Sequence, residues 1–437
     1  MLGAFRSALA TPDLRRKILF TLGIMALYRL GSHVPSPGVN FANVQQCVSQ
    51  QDQSGGIYGL ISLFSGGALL QLSVFSLGIL PYITASIIIQ LLTVVIPRFE
   101  QLKKEGQSGQ NKLTQYTRYL TVALAILQST GIVALAVRGQ LFQGCAVQPI
   151  PNQDVFTLAV IVITMTAGTA MIMWFGELIT ERGIGNGMSI LMFTSIAARI
   201  PTEGQNILSN SGGLVFAVIC VLGLLIIGFV IFLEQAQRRI PVQYAKRMIG
   251  RRMYGGTSTY LPLKVNQAGV IPVIFASSLL YLPQLIISLT QGSAVDGSWQ
   301  QFVQTYIVDP SSYGHIALYF ALIIFFTYFY VAITFNPDER ADEMRKFGGF
   351  IPGIRPGRPT AEYLSFVLNR ITLPGSLYLG LIAVLPSFFL SITGPGGQNN
   401  NFPFGGTAVL IMVGVGLDTI KQIESQLMQR NYEGFLR

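Results

Sequence analysis

Long stretches without a charged residue alternate with short charged segments along the chain. The charge-free stretches that are rich in apolar residues are 53–97, 119–137, 155–176, 183–198, 204–233, 265–295, 310–337 and 371–417. A helix that crosses the hydrocarbon core of a bilayer needs about 20 consecutive apolar residues, within a range of roughly 17–25. The shorter stretches therefore predict one membrane-spanning helix each.

The two longest stretches contain more than one element. Glycine, proline and asparagine in Thr393–Asn401 interrupt the last stretch and predict a loop between two helices. The first stretch predicts one full helix near Val74–Ile96, preceded by a short apolar piece. A further span near Ile18–Val34, which carries the charge of Arg29, precedes all of these. The pattern predicts an all-α polytopic membrane protein with ten transmembrane helices.

Composition excludes the soluble classes. Hydrophobic residues make up 51% and charged residues 11% of the 437 residues, whereas soluble domains carry roughly 25% charged residues. A chain this poor in charge cannot cover a soluble surface, so a soluble enzyme, a disordered chain and a fibre are excluded. Because the chain has only two histidines and three cysteines, we expect no metal and no cofactor.

Basic residues are distributed unevenly between the two predicted sides of the membrane. The formal net charge is +10, and every Lys and Arg except Arg29, Arg138 and Arg199 falls on the side that holds both termini. Lys and Arg concentrate in the cytoplasmic loops of membrane proteins, so both termini are predicted to be cytoplasmic. This bias explains the net charge, although a nucleic-acid-binding role for the large basic loops is an alternative.

The cysteines do not indicate a disulfide framework. Cys47 and Cys145 fall in predicted exoplasmic loops, and Cys220 falls inside a predicted helix. A disulfide between Cys47 and Cys145 is conceivable, but three unpaired thiols are the expectation.

Two pairs of helices share sequence patterns that indicate an internal repeat. Gly78–Ser86 matches Gly269–Ser277 in Gly, Pro, Ile, Ala and Ser at the same offsets, and Gly187–Met192 weakly matches Gly406–Ile411. Spans one to five (1–203) thus correspond to spans six to ten (204–437). The alternative explanation of the matches is chance similarity between apolar helices. Because five is odd, the halves enter the membrane from opposite faces, as in an inverted repeat.

Inverted repeats place function near the membrane midplane, between the two halves. Here the second, fifth, seventh and tenth spans meet. Their deep side chains are all bulky and apolar: Ile79, Ile83, Met188, Met192, Ile274 and Ile411. Such residues offer no polar contact to a small substrate, but they can close a wide pathway to water and ions by dewetting. Plain helix packing is the alternative.

The apolar piece Ile57–Ala68 is too short to span a bilayer. Glycine pairs at both ends, Gly55-Gly56 and Gly66-Gly67, allow sharp turns. A re-entrant segment fits this pattern where protein or a water-filled cavity surrounds it. A plug and an exoplasmic surface helix are both open interpretations.

Two cytoplasmic loops, 234–266 and 336–370, are longer and more basic than helix connections require. The first carries paired basic residues and turn signals that predict a protruding hairpin. The second places Arg355 between Pro352-Gly353 and Pro356-Gly357, in a stiff backbone. A solvated, topology-setting surface is the alternative to a docking surface for RNA or acidic protein. The chain has no G-x-x-x-x-G-K-[ST] motif, so energy for transport has to come from a partner or the membrane potential.

Several motifs together resemble the SecY family of bacterial protein-conducting channels. They are Phe64–Leu69, Leu77–Leu92, Lys103–Gly106, Gly176–Ile190, Gln237–Ile240, Tyr244–Arg247, Leu261–Ser278 and Pro352–Gly357. The resemblance covers nearly the whole chain, and its specificity comes from the combination. It implies a non-enzymatic channel that translocates unfolded secretory proteins and inserts membrane proteins in the bacterial plasma membrane.

The resemblance also implies roles for individual residues. The six deep apolar residues above become the apolar ring that closes the pore, with two Met where the family often has Ile. The plug segment, about 57–70, includes Ile57, Leu60, Phe64, Ser65, Gly66 and Gly67. A lateral gate between the second and seventh spans carries the polar residues Gln90 and Asn266. The docking residues are Arg238, Arg239, Lys246, Arg247, Arg251, Arg252 and Arg355.

The partners that the resemblance implies are SecE-type and SecG-type membrane subunits, the SecA motor ATPase, the ribosome, signal peptides, nascent chains and the lipid bilayer. A secondary transporter is the alternative from another class, and it predicts ionisable residues at the midplane. Arg29, Glu177 and Asp418 all fall toward span ends instead. An intramembrane protease needs a nucleophile with its base, or an aspartate pair, and the predicted spans contain neither.

Overall fold

Helices dominate the computed structural model, which describes residues 11–50, 65–137, 139, 141, 147–244, 247–249, 252–254, 258–290, 302–308, 312–393 and 406–434. The α-helices are α1 (Pro12–Gly31), α2 (Phe41–Gln50), α3 (Leu80–Val95), α4 (Pro97–Lys104), α5 (Gln107–Val137), α6 (Val155–Arg182), α7 (Gly187–Gln235), α8 (Ile271–Thr290), α9 (Tyr313–Thr334), α10 (Pro337–Lys346), α11 (Arg358–Thr393) and α12 (Gly406–Gly434). The strands are β1 (Gln237–Tyr244), β2 (Arg247–Ile249), β3 (Arg252–Tyr254), β4 (Ser258–Lys264) and β5 (Gly349–Phe350).

Several of these helices are long and apolar enough to cross a membrane. In the described residues there are five, or six if the bent pair of α3 and α4 forms one span. This agrees with the predicted all-α polytopic membrane protein. Within the described residues, Ile271–Leu280 of α8 is a further, shorter apolar stretch. Ten spans therefore stay a prediction.

The fifth and sixth predicted spans belong to one helix. α7 is continuous from Gly187 to Gln235 and contains Pro201, so the charges of Arg199 and Glu203 do not end the helix. A charge disfavours hydrocarbon but does not interrupt the backbone hydrogen bonds of a helix. The predicted boundary between the halves, at 203 and 204, lies inside α7, and the division into halves stays a prediction.

The first repeated motif and its counterpart adopt the same local structure. Gly78 and Gly269 have φ values of 58° and 62°, a region that glycine enters without steric cost. α3 and α8 each begin two residues after this glycine, and Pro81 and Pro272 each lie in the first turn, where proline is tolerated. This common geometry supports the internal repeat.

α3 and α4 are separated by a sharp bend of 100°. Pro97 starts α4, and Ile96 before it is extended, with φ −102° and ψ 113°. A residue before proline avoids the helical region because of a clash with the proline ring. The sequence Ile96-Pro97 therefore ends α3 where the charged segment that follows begins.

The first basic loop is a β-hairpin, as predicted. β1 pairs antiparallel with β4, so that Arg238 faces Leu263 and Arg239 faces Pro262 in register. On its other edge β1 pairs with β5, which belongs to the second basic loop. The two loops therefore form one three-stranded sheet, a connection that the sequence pattern does not predict.

The sheet is anchored on the helix bundle. Its buried residues Ile240 and Leu263 pack in one cluster with Phe335, which follows α9, and with Leu364 of α11. Apolar burial of this kind contributes roughly 25 cal/mol per Å² removed from water. The basic loops are thus presented on a packed support.

The expectation of three unpaired thiols is wrong. Cys47 is disulfide-bonded, while Cys220 is free. Cys145 lies outside the described residues. Counting cysteines cannot detect such a bond, because the approach of two loops depends on the fold.

Candidate functional site

The six residues of the predicted apolar ring lie in one hydrophobic cluster. They come from the start of α3, the first two turns of α7, the start of α8 and the start of α12. Four are buried and two are partly buried against them: Ile79, Met192, Ile274 and Ile411, then Ile83 and Met188. The cluster thereby joins helices from both predicted halves.

Two glycines allow the close approach of helices that places Met188. A Cβ on Gly187 would lie 1.9 Å from the carbonyl oxygen of Gly176, and a Cβ on Gly176 would lie 2.5 Å from Sδ of Met188. Only glycine accommodates such backbone proximity. The flexible thioether of methionine fills the remaining irregular space, which explains how Met is accommodated here.

The described end of the plug segment is buried in the protein. Ser65 and Gly66 are buried, and Gly67 is half-buried, while the adjacent Leu69 and Leu72 are 1% and 0% exposed. For this end, burial favours a plug over an exoplasmic surface helix. Ile57, Leu60 and Phe64 lie outside the described residues.

The two predicted gate residues have different surroundings. Asn266 is 3% exposed, and its Nδ2 donates to Oε1 of Glu234 at 2.5 Å and to the carbonyl oxygen of Gly269 at 3.2 Å. Gln90 is exposed on α3. Glu234 lies in the last turn of α7. The Asn266 amide therefore connects the end of α7 with the turn before α8.

Replacement of Asn266 should destabilise the protein. In Asn266→Leu the buried carboxylate of Glu234 loses its amide donor, and leaving a buried polar group unsatisfied costs about 1–3 kcal/mol. We expect a lower midpoint of thermal unfolding in detergent. Gln90→Leu, which removes an exposed amide from the other gate position, is the matched control and should leave the midpoint unchanged. Equal midpoints for both variants would contradict the structural role of Asn266.

The predicted docking residues that the structure describes lie on the three-stranded sheet, on the separate β2–β3 ladder and in the turn of Arg355. Arg238 and Arg239 are exposed on β1. In the small β2–β3 ladder, Arg247 pairs with Tyr254 and Arg252 pairs with Ile249. Lys246 and Arg251 lie outside the described residues. The structure therefore gathers the described basic positions of the first loop on one hairpin.

Arg355 is exposed in the turn between β5 and α11. Gly353 and Gly357 of this turn adopt φ values of 84° and 107°, and the Thr360 hydroxyl donates to the carbonyl oxygen of Arg355 at 2.9 Å. An open cleft of about 520 Å³ adjoins the turn, lined by Arg345, Gly348, Gly349, Phe350, Pro356, Gly357 and Arg358. Its two arginines suit an acidic partner group.

One ion pair was not foreseeable from the sequence pattern. Arg118 of α5 donates from Nε and Nη2 to the two carboxylate oxygens of Glu177 on α6, at 2.8 and 2.7 Å. Asp418 pairs with Lys264 at 3.4 Å. Both acidic groups that the transporter alternative offers are therefore engaged in ion pairs, which weakens that alternative.

Known proteins resemble this chain over almost its full length. The SecY family model matches residues 73–420. Protein translocase subunit SecY of Mycobacterium tuberculosis (strain ATCC 25618 / H37Rv) is 71% identical over 442 residues, covering 100% of both chains. Two solved structures share the fold at 17% identity and cover 94% of this chain and 91% of theirs. They are a protein-conducting channel, with a TM-score of 0.64, and Sec61 in the canine ribosome-channel complex from the endoplasmic reticulum, with a TM-score of 0.59.

Proposed function

This chain belongs to the SecY family, and we propose that it forms the pore through which unfolded proteins cross the bacterial plasma membrane. Its relatives are named as translocase subunits, so the chain is a multi-pass channel subunit and not an enzyme. The observation that carries the proposed pore is the apolar ring, in which four separate helices contribute bulky side chains to one cluster.

The apolar ring closes the resting pore. Isoleucine and methionine side chains in contact leave no polar surface for water, so ions meet a dewetted constriction. A translocating chain in extended form displaces these side chains without breaking any hydrogen bond between them. The test of this role is the resting ion conductance of ring variants.

The plug segment adds a second barrier on the exoplasmic side of the ring. Its described end is buried, and Phe75 and Ile79, which follow it in the sequence, belong to the cluster that holds the ring. Movement of this segment opens the exit for a translocating chain. The two barriers together keep the resting channel closed.

A signal peptide opens the lateral gate between the second and seventh spans. Its apolar core prefers the boundary between lipid and channel, and its binding shifts the population toward an open state. Gln90 and Asn266 line this gate, and the bond between Asn266 and Glu234 stabilises the closed arrangement. Transmembrane segments leave sideways because each apolar residue prefers lipid by a few tenths of a kcal/mol.

The three-stranded sheet, with Arg238 and Arg239 exposed on β1, and the turn that carries Arg355 bind the partners that drive transport. One structural neighbour is in a ribosome-channel complex and another is an idle complex bound to the yeast 80S ribosome, which supports the ribosome as a partner. SecA supplies ATP energy, and the absence of a P-loop motif in this sequence is consistent with an external motor. SecE-type and SecG-type subunits complete the channel in the membrane.

Both termini and both basic loops lie in the cytoplasm in this proposal. In a Cys220→Ala background, Arg239→Cys should react with an impermeant thiol reagent only after cells are permeabilised. Asn152→Cys, an exposed position between α5 and α6, should react in intact cells. The reason is the concentration of Lys and Arg on one side. The reverse labelling pattern would refute this topology.

A further inference from the structure

Arg29 donates a hydrogen bond to the described end of the plug segment. It lies half-buried in the last turn of α1, and its Nη1 donates to the carbonyl oxygen of Gly66 at 2.8 Å. Hydrogen bonds from a charged donor are stronger than neutral ones. The residue that interrupts the apolar pattern of the first span therefore contacts the plug segment directly.

Gly66 is seated tightly between α1 and α7. Its φ is 66°, and an added Cβ would lie 3.2 Å from Cα of Ser195 and 3.3 Å from Nη1 of Arg29. The hydroxyls of Tyr28 and Ser195 are hydrogen-bonded at 2.7 Å, and both side chains are buried. Tyr28 thus fixes α1 against α7, and this contact sets the position of the neighbouring Arg29.

The other end of this region is held by the main chain. The amide of Ser36 donates to the carbonyl of Leu72 at 3.1 Å, and the amide of Val74 donates to the carbonyl of Val34 at 2.9 Å. Phe75 stacks on Tyr28 with ring centroids 6.0 Å apart. A paired backbone and a stacked ring form a stable attachment, whereas the contact at Gly66 depends on one side chain.

We propose that Arg29 is a positioning residue that holds residues 65–67, the described end of the plug segment, in their buried position, and that loss of its bond to Gly66 exposes these residues while 72–74 stay attached to 34–36. The inference rests on the proposed role of the plug segment. It assigns to α1 a part in gating.

The test follows the exposure of Ser65, which is 0% exposed and precedes Gly66. In a Ser65→Cys, Cys220→Ala background, the assembled channel in vesicles is treated with an impermeant thiol reagent on the exoplasmic side. Arg29→Met should raise the labelling rate about tenfold, in keeping with the loss of one charge-assisted hydrogen bond. Arg29→Gln, polar but shorter, should do the same and covers the case in which the Met variant does not fold. Arg29→Lys should stay near the parent rate, since an ammonium also donates to a carbonyl.

The matched control is Arg16→Met, which removes the same charge from an exposed position on the same helix and should leave labelling unchanged. Protection in folded Arg29→Met and Arg29→Gln equal to that of the parent would overturn the proposal, as would an equal rise in Arg16→Met. Resting conductance separates this inference from the proposed pore. If ring variants conduct but Arg29 variants remain protected and closed, only the role of Arg29 fails. If ring variants do not conduct, the proposed seal fails, while thiol labelling still decides the role of Arg29.

Discussion

Combined Ile83→Asn and Ile274→Asn substitutions should raise the resting ion conductance of the channel in planar bilayers by at least about tenfold. Ile274 is 7% exposed, and Ile83 packs against the same cluster. Burying an amide without a hydrogen bond costs roughly 2–7 kcal/mol. The two asparagines should therefore draw water into the constriction, and a wetted constriction conducts ions.

A polar substitution elsewhere in the bundle controls for general loosening. Ile89 lies on α3 like Ile83 and is 8% exposed, but it belongs to a different cluster, with Leu102 and Leu113. Ile89→Asn should lower stability without raising conductance. A ring double variant that folds, assembles and shows only the parent conductance would mean that these residues serve packing alone.

Arg355→Lys should slow motor-driven translocation of a secretory precursor into vesicles about tenfold, and Arg355→Glu should abolish it. Arginine offers a planar fork that binds a carboxylate or phosphate through two parallel hydrogen bonds, whereas lysine offers a point charge. Hydrogen bonds to charged groups contribute about 1.5–3 kcal/mol each. The loss of one of the two bonds therefore accounts for a translocation rate about tenfold lower. The glutamate adds repulsion toward an acidic partner.

The structure supplies a matched control in the same loop. Arg340 is exposed on α10 and pairs with Glu343 at 2.8 Å, a surface pair of a kind that contributes about 0–1 kcal/mol. Arg340→Lys should translocate at the parent rate, measured at equal channel levels in the vesicles. Full activity of Arg355→Lys would reject a bidentate contact and leave charge attraction as the only role of this turn.

Several features followed from local sequence. Apolar length predicted spanning helices because the cost of a charge in hydrocarbon depends on the residue itself and on its depth. The repeat Gly78–Ser86 and Gly269–Ser277 predicted two equivalent helix starts, and the shared positive φ of the two glycines agrees with it. The hairpin of the first basic loop followed from turn residues between its paired charges.

Other features depended on how the helices are rotated and packed, which sequence patterns do not specify. The pairing of Gln243 with Phe350 joins two loops that are separated by several helices. The bonds of Arg29 to Gly66, and of Asn266 to Glu234, require particular faces of helices to meet. The sequence by itself determined the membrane class and the apolar residues at the repeated helix starts, because hydropathy is a property of single residues. Only the tertiary structure decided which polar groups meet, because a buried donor finds its acceptor through the packing of segments distant in the chain.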